Sequence, residues 1–496
     1  MLHKFNDATP VEIDEAMQIA GEASQAYRKF SLKQRADFMK AIAHDLENAD
    51  ELLISTAMEE THLPAGRLQS EKARTVFQLN SYAEACEKGD WMQVSIDTED
   101  QKRNPPKPGI RKMMIPIGPV VVFGSSNFPF AYSTAGGDTA CAFAAGCAVV
   151  VKAHPAHSNT SQLVADLIMK AAEKCNMPKG IFTHLHGAGI ETGKQLVLHP
   201  ETKAVGFTGS FAGGKQLYDW GNQRKAPIPV FAEMGSVNPV FLLPGKLKTD
   251  HDEIAGMYAV SVTLGVGQFC TKPGLIIALE SDELNKFIAT LAQKIKEISP
   301  GPMLHPGITK AFNEKRQKAL EQNGVKEVAE SGIIAKGNEG LPTIATVSAQ
   351  IFLENSLLHE EVFGPYSLII QCKNNDELLA VAKALEGQLT ATLMATVDDM
   401  NQHESLVDAI KEICGRLIYN GVPTGVEVCL SMQHGGPFPA TTDSRFTSVG
   451  ADGIKRFVRP LAFQNWPDEL LPDELKDGNP LKIWRTINAE IRPPQL

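Results

Sequence analysis

Gly118-Pro-Val-Val-Val-Phe123 and Ala148-Val-Val-Val-Lys152 are short apolar runs, and Asp138 followed by Thr139-Ala-Cys-Ala-Phe-Ala-Ala145 lies between them. Runs without polar alternation are strands covered on both faces, and the segment between them reads as a helix that Asp138 is placed to cap. The pattern repeats downstream. Ser158 is placed to cap a helix whose Leu163, Val164, Leu167, Ile168 and Ala171 share one face and which ends near Cys175. Residues 181–185, 204–207 and 228–232 continue the strand series. Strands alternating with helices in this way predict a doubly wound α/β unit with a parallel sheet and right-handed crossovers.

Upstream, residues 8–60 are helical in pattern: Asp7 or Thr9 is a cap, Pro10 suits the first turn, and Ile13, Met17 and Ala20 recur at helical spacing. A second such segment runs over 32–58. Asn104-Pro-Pro-Lys-Pro-Gly109 breaks any element, so 92–115 reads as an exposed hairpin or arm. A second mixed α/β region covers 236–435, with helices near 284–298 and 376–386 and strands near 275–280 and 366–371. The tail after Arg459, rich in Pro, Asp and Glu, is expected to wrap the surface.

At 496 residues the chain is long enough for roughly three domains, taking about 150 residues for each. A hydrophobic share of 43% with 21% charged residues excludes disordered and disulfide-scaffold classes. The net charge of −10 repels nucleic acid and anionic lipid, so neither is expected as a partner. The apolar run 140–151 is shorter than the roughly 20 residues of a membrane span, and the first residues carry no signal-like core. Eight scattered cysteines without a CxxC pair read as reduced thiols, and a cytoplasmic location is expected.

Several segments carry candidate chemistry. Gly187-Ala-Gly189-x-x-x-Gly193 opens a helix after a strand, which is either a phosphate turn or tight packing. Phe207-Thr-Gly209-Ser210 is a second such turn. Cys270 sits in the loop Gly265-Val-Gly-Gln-Phe-Cys-Thr-Lys-Pro-Gly274, which can present a nucleophile or simply pack a thiol. Glu233 ends an apolar strand, where desolvation would raise its pKa and suit it to general-base work; the alternative is a capping acid. The Asn127 amide follows a buried strand and can either hold an oxyanion or shape a turn. Lys152 ends a very apolar strand and needs a ligand or a carboxylate for its ammonium. His154 with His157, and His184 with His186, lack the companions of a metal site, so no metal is expected.

In this order, Ser126-Asn-Phe-Pro129, Val151-Lys152, Phe207-Thr-Gly-Ser210, Glu233-Met-Gly-Ser236, Gly267-Gln-Phe-Cys270 and Glu361-Val-Phe-Gly-Pro365 resemble the aldehyde dehydrogenase superfamily. Gly136-Gly-Asp-Thr-Ala140, Lys152-Ala-His-Pro-Ala-His157, His434-Gly-Gly-Pro-Phe-Pro-Ala440 and Asp443-Ser-Arg-Phe-Thr-Ser-Val-Gly450 are similar to the 2-oxoglutarate semialdehyde branch, close to NADP-dependent fatty aldehyde dehydrogenases. The resemblance implies an α/β fold with a Rossmann-type cofactor domain, an α/β catalytic domain and a small β bridging element. The cofactor domain would take 1–97 and 116–235 with a return segment at about 436–454. The catalytic domain would take 236–435, an oligomerisation arm 98–115 and 455–466, and a C-terminal tail 467–496. A homodimer or homotetramer is implied.

The same resemblance assigns roles. Cys270 is the nucleophile, Glu233 the base for water and Asn127 an oxyanion donor. Lys152 and Glu361 meet cofactor ribose hydroxyls, Phe363 packs near the nicotinamide ribose, and Gly209 and Ser210 meet the pyrophosphate. NAD-preferring members often carry an acid three residues after the lysine, and here that position is Pro155, so NADP is the expected cofactor with NAD possible. Ser236 stands where many members have glycine. The expected substrate is 2-oxoglutarate semialdehyde (2,5-dioxopentanoate), oxidised to 2-oxoglutarate through a cysteine thioester, with Arg445 or Arg416 as candidate cations for its distal carboxylate. An aliphatic substrate held by Phe128, Phe130 and Phe438 is the alternative, and an inactive binding protein is a third reading.

Overall fold

The apolar runs become strands where the sequence places them. The computed structural model describes residues 2–493; residue 1 and the last residues of the expected tail, 494–496, lie outside the described residues. Phe182–Leu185, Val149–Lys152, Val120–Phe123, Ala204–Thr208 and Val230–Glu233 form one five-stranded sheet in that spatial order. Every neighbouring pair is parallel, and the register sets Phe123 beside Lys152 and Phe207, and Thr208 beside Glu233. Val120 to Val122 and Val149 to Val151 are buried, as two-sided strands must be. Lys152 and Glu233 therefore stand on the carboxyl edge of the sheet, where open α/β folds take their ligands.

Two expected caps are replaced by longer-range partners. Asp138 does not cap; the helix Gly137–Ala145 has Gly136 at its N-cap, and Asp138 lies in the first turn. Its carboxylate Oδ1 instead meets Arg456 Nη1 at 2.6 Å, where the guanidinium has no solvent to turn to. Ser158 begins the helix Ser158–Lys174 without capping it. Glu60 does so from another helix, accepting the Asn159 and Thr160 N–H groups at 2.8 Å each. A charged carboxylate outbids a hydroxyl for those orphan donors. Thr9 does cap Pro10–Tyr27, in a reciprocal box with Glu12. The expected 32–58 helix is two, Leu32–Glu47 and Glu51–Thr61, because Asp50 restarts the chain as a new N-cap.

The second sheet has seven strands, ordered Lys326–Glu330, Thr343–Ser348, Tyr366–Cys372, Leu275–Leu279, Val240–Leu242, Gln388–Met394 and Cys414–Tyr419. Only the Lys326–Glu330 edge strand is antiparallel. Helices Asp282–Glu297 and Asn375–Ala384 cover it, close to their expected positions. A third sheet joins Val458–Gln464, Ile110–Pro116, Ser95–Asp97, Arg485–Ile487 and Glu490–Arg492. The arm is thus a hairpin closed by the Asp100–Lys107 bridge, and the tail adds strands to it through Thr486 and Ser95. Among the described residues no helix is long and apolar enough to cross a membrane.

Arg456 and Asp138 tie the first-sheet helix to the segment leading into the third sheet. Arg456→Met leaves a nearly buried carboxylate unpaired and is expected to cost about 3–5 kcal/mol. Thermal unfolding checks this; a melting temperature within about 1 °C of the parent would show that the pair adds nothing.

Candidate active site

The helix Pro244–Thr263 ends in a turn where Gly265, Val266 and Gly267 have φ of 56°, 59° and 64°. Val266 is a β-branched residue in the left-handed region, a conformation that persists only where surrounding contacts impose it. At Gly267 a Cβ would come 2.3 Å from the Gly364 carbonyl carbon, so glycine alone lets this loop press on the 361–365 segment. Lys272, almost wholly buried, pins the same segment by donating to the carbonyls of Val362 at 3.1 Å and Tyr366 at 2.8 Å. Asn238 Nδ2 donates to the carbonyls of Cys270 at 2.9 Å and Lys272 at 3.0 Å. Ser236 is more than a small residue. Its Oγ accepts the Leu389 N–H at 3.0 Å and lies 2.9 Å from Gln388 Oε1, tying the end of the first sheet to the second.

Asn127 approaches this loop from the other side, its Nδ2 donating to the Gln268 carbonyl at 3.0 Å. An amide nitrogen carries two hydrogens, so a second remains for a ligand. Arg67 holds Asn127 by donating to its carbonyl at 3.0 Å and lies 4.7 Å from the Phe128 ring and 5.3 Å from that of Phe269. Glu71 in turn pairs with Arg67 at 3.0 Å and accepts the Phe130 and Ala131 N–H groups.

Cys270, Glu233 and His434 converge, their sulfur, carboxylate and imidazole atoms within 4.8 Å of one another. His434 Nε2 stands 3.6 Å from Cys270 Sγ and 3.0 Å from Glu233 Oε1. Ser448 Oγ donates to Glu233 Oε2 at 2.6 Å. His434 and Ser448 arrive on the return segment, whose Thr441 bridges to Glu233 and whose Ala440 carbonyl accepts the Met234 N–H.

Burial pushes the Glu233 carboxyl up, but His434 and the hydrogen bonds from His434, Ser448 and Cys270 outweigh it and hold the group below its ordinary value. The raised pKa expected from strand burial is thus reversed by the imidazole. Cys270 keeps part of its surface open, yet packing around the sulfur pushes its thiol well above its usual range, and the Glu233 charge adds to this.

The residues expected at the cofactor line the same carboxyl edge. Burial brings Lys152 down to about 8, with Asp7 opposing, and its ammonium donates to no protein group among the described residues. Such an unpartnered cation fits a ribose or phosphate oxygen. Pro155 is exposed just beyond it. Gly209 and Ser210 are exposed at the start of Phe211–Gln223, where Ser210 caps through Gly213 and the Gly209 N–H meets the Glu233 carbonyl at 3.0 Å. The Glu361 carboxylate lies over Gly235, where a Cβ would be 2.6 Å away. Phe363 is half-buried, two residues on. The Gly187–Gly193 turn is not a free phosphate cradle, because Asp7 accepts the Ala188 N–H at 2.8 Å and the Gly189 N–H at 3.2 Å.

Other candidates disperse. His157, His184 and His186 take Ser125, Ser161 and Gln162 as partners through Nε2. Phe130 is fully buried in the first core, and Phe438 is 52% exposed beside Phe211, so neither builds a tunnel with Phe128. Arg445 is exposed and paired with Asp443 at 2.5 Å. Sequence reasoning overlooked His434, Ser448 and Asn238 as site residues. The signal for the first two lay in the quoted His434–Ala440 and Asp443–Gly450 segments, read there only as branch markers.

The aldehyde dehydrogenase family model matches residues 1–448. Alpha-ketoglutaric semialdehyde dehydrogenase 2 of Azospirillum brasilense is 46% identical over 482 residues, 97% of this chain and 92% of that protein. Alpha-ketoglutaric semialdehyde dehydrogenase of Acinetobacter baylyi is 43% identical over 489 residues, 98% and 93% of the two chains. In fold, the chain is similar to a 1-pyrroline-5-carboxylate dehydrogenase from Thermus with bound NAD, with a TM-score of 0.78 and 20% identity over 92% of this chain and 86% of that one. A thiol and a carboxylate meeting beside an asparagine amide, on two parallel sheets that reproduce this architecture, complete the match: the chain belongs to the aldehyde dehydrogenase family.

Proposed function

We propose that the chain oxidises 2-oxoglutarate semialdehyde (2,5-dioxopentanoate) to 2-oxoglutarate, with a nicotinamide dinucleotide, through a thioester on Cys270. The convergence of Cys270, Glu233 and His434 within 4.8 Å carries the mechanism. The two relatives at 46% and 43% identity support the substrate.

In this reading the Glu233–His434 pair takes the thiol proton as Cys270 Sγ bonds to the aldehyde carbon, and passes it on before hydrolysis. The spare Asn127 amide hydrogen and the Cys270 N–H hold the oxyanion of the thiohemiacetal. The bound dinucleotide supplies the hydride acceptor. Loss of hydride leaves a thioester on Cys270. Glu233, ionised at neutral pH, then removes a proton from water as its oxygen attacks the thioester carbonyl, releasing the carboxylate and restoring the thiol. NADP is the favoured dinucleotide, because Pro155 brings no carboxylate against a 2′-phosphate, Lys152 is free to meet it, and Asp7 is spent on backbone amides. A cytoplasmic homodimer or homotetramer is the assembly we favour, built on the exposed edge strand Val458–Gln464.

Steady-state kinetics tests substrate and cofactor together. The expected order is 2,5-dioxopentanoate over succinate semialdehyde and hexanal, with higher kcat/KM for NADP than for NAD; best activity with hexanal would favour the aliphatic reading. Cys270→Ala should abolish oxidation, and unchanged turnover would remove the mechanism. Pro155→Glu is expected to move the NADP to NAD ratio of kcat/KM towards NAD by about tenfold; an unmoved ratio would discharge Pro155 from the choice.

Charge coupling gives a separate test. The Glu233 charge raises the Cys270 pKa, so Glu233→Gln should bring thiolate formation to lower pH. The rate of iodoacetamide labelling of the cofactor-free enzyme from neutral to alkaline pH is the measurement, and the variant should label faster than the parent at each pH. A rate that stays or falls would show that the carboxylate does not act on the thiol.

A further inference from the structure

We propose that Arg74 and Arg416 together form the receptor for the distal carboxylate of the substrate. The inference rests on the oxo-acid reading above and names the residues that enforce it. Arg416 lies on the strand Cys414–Tyr419, directly after Gly415, where a Cβ would be 1.9 Å from the Gly435 carbonyl oxygen. That contact presses the strand onto the segment that carries His434. Arg74 lies on the helix Ala65–Lys88, one turn beyond Glu71 and two beyond Arg67. This face runs along the 127–132 loop, which Arg67 and Glu71 hold through Asn127, Phe130 and Ala131. Tyr132 closes that loop, with ring centroids 5.1 Å from Phe128 and 6.3 Å from His434. Arg74 lies beside Tyr132, and Arg416 lies near both Tyr132 and Cys270, so the two guanidinium groups share the Tyr132 side of the Cys270 site.

Their partners are unusual. Arg416 donates to the carbonyls of Gly425 at 3.0 Å and Pro423 at 2.8 Å, and Arg74 donates through Nη1 to that of Val426. The two side chains grip one loop, and neither meets a carboxylate among the described residues. Arg74 Nε and Nη2 and Arg416 Nε are buried without a well-formed hydrogen bond, and beyond the Val426 carbonyl the Arg74 guanidinium has only the Tyr132 hydroxyl close by among the described residues. Nε and Nη2 form the side-on fork of a guanidinium, which matches the two oxygens of a carboxylate. Two half-buried cations without a counter-ion, and three donor nitrogens without a well-formed hydrogen bond, are costly unless an anion completes them.

In this proposal an aldehyde carbon at Cys270 Sγ carries its chain past the mutually packed rings of Phe128, Phe269 and Tyr132 towards the two guanidinium groups. Arg416 lies close enough to Cys270 and Tyr132 to sense either group if it ionises. A short aldehyde acid is the ligand class that would join the two ends. An aliphatic aldehyde of the same length would leave both cations unpaired, so discrimination comes from the unpaired charge as much as from the contact.

The test compares 2,5-dioxopentanoate with pentanal in the parent, Arg74→Gln, Arg416→Gln and Arg74→Lys. The readout is the ratio of kcat/KM for the oxo-acid to that for pentanal, with the competitive inhibition constant of glutarate as a binding measurement. Each glutamine variant should lower the ratio by at least about tenfold, mainly through KM, and weaken glutarate by a similar factor, while the lysine variant recovers part of both. A ratio and a glutarate constant both unchanged would overturn the receptor, and so would parallel losses on the two aldehydes with the ratio intact, which mark a loop-holding role only. If the parent shows no preference for the oxo-acid, the substrate reading fails, and the glutarate constants still decide whether the arginines bind a carboxylate.

Discussion

Main chain pressed against main chain holds the cleft together. At Gly267 a side chain would strike Gly364, and at Gly436 a Cβ would lie 2.1 Å from the Gln388 carbonyl oxygen. The first contact seats the Cys270 loop on the segment bearing Glu361. The second threads the return segment past the second sheet, so that His434 and Ser448 arrive beside Glu233. Neither approach tolerates a methyl group; the first sheet offers its carboxyl edge to the site, and the second offers its amino ends, where Asn238, the Cys270 loop and Gln388 lie.

Inside that space one imidazole serves two acids that burial would otherwise neutralise. The carboxylate gains most from it: imidazole, hydroxyl and thiol together overcome desolvation, and Glu233 stays charged. The thiol takes the opposite outcome, since the same carboxylate repels its anion. A resting Cys270 is therefore largely protonated, which guards an accessible sulfur against stray electrophiles, and its activation waits for substrate and cofactor to change the surroundings.

The fold was legible because its evidence is local. Unbroken valine runs can only be two-sided strands, and Thr9 with Glu12 spells out a capping box within four residues. Misreadings arose where a distant charge intervened. Asp138 looked like a cap until Arg456 claimed it, and Ser158 looked like one until Glu60 did. The site divides in the same way. Cys270, Glu233 and Asn127 announce themselves by strand ends and glycine-flanked loops. His434 and Arg74 do not, because a lone histidine before two glycines and an arginine inside a helix take their meaning from what the fold brings against them. The expected Glu233 pKa failed for that reason: strand burial is visible in sequence, the imidazole across the cleft is not.

The return segment has a consequence for how the protein is made. Ser448 is 215 positions from Glu233, and His434 is 164 from Cys270. Synthesis runs from the N-terminus, and domains fold as they emerge. The nucleophile and the carboxylate thus leave the ribosome long before the imidazole and hydroxyl that set their charges. A nascent chain that stops short of His434 carries the thiol and the carboxylate without the groups that tune them, so the catalytic arrangement forms only once the return segment has emerged.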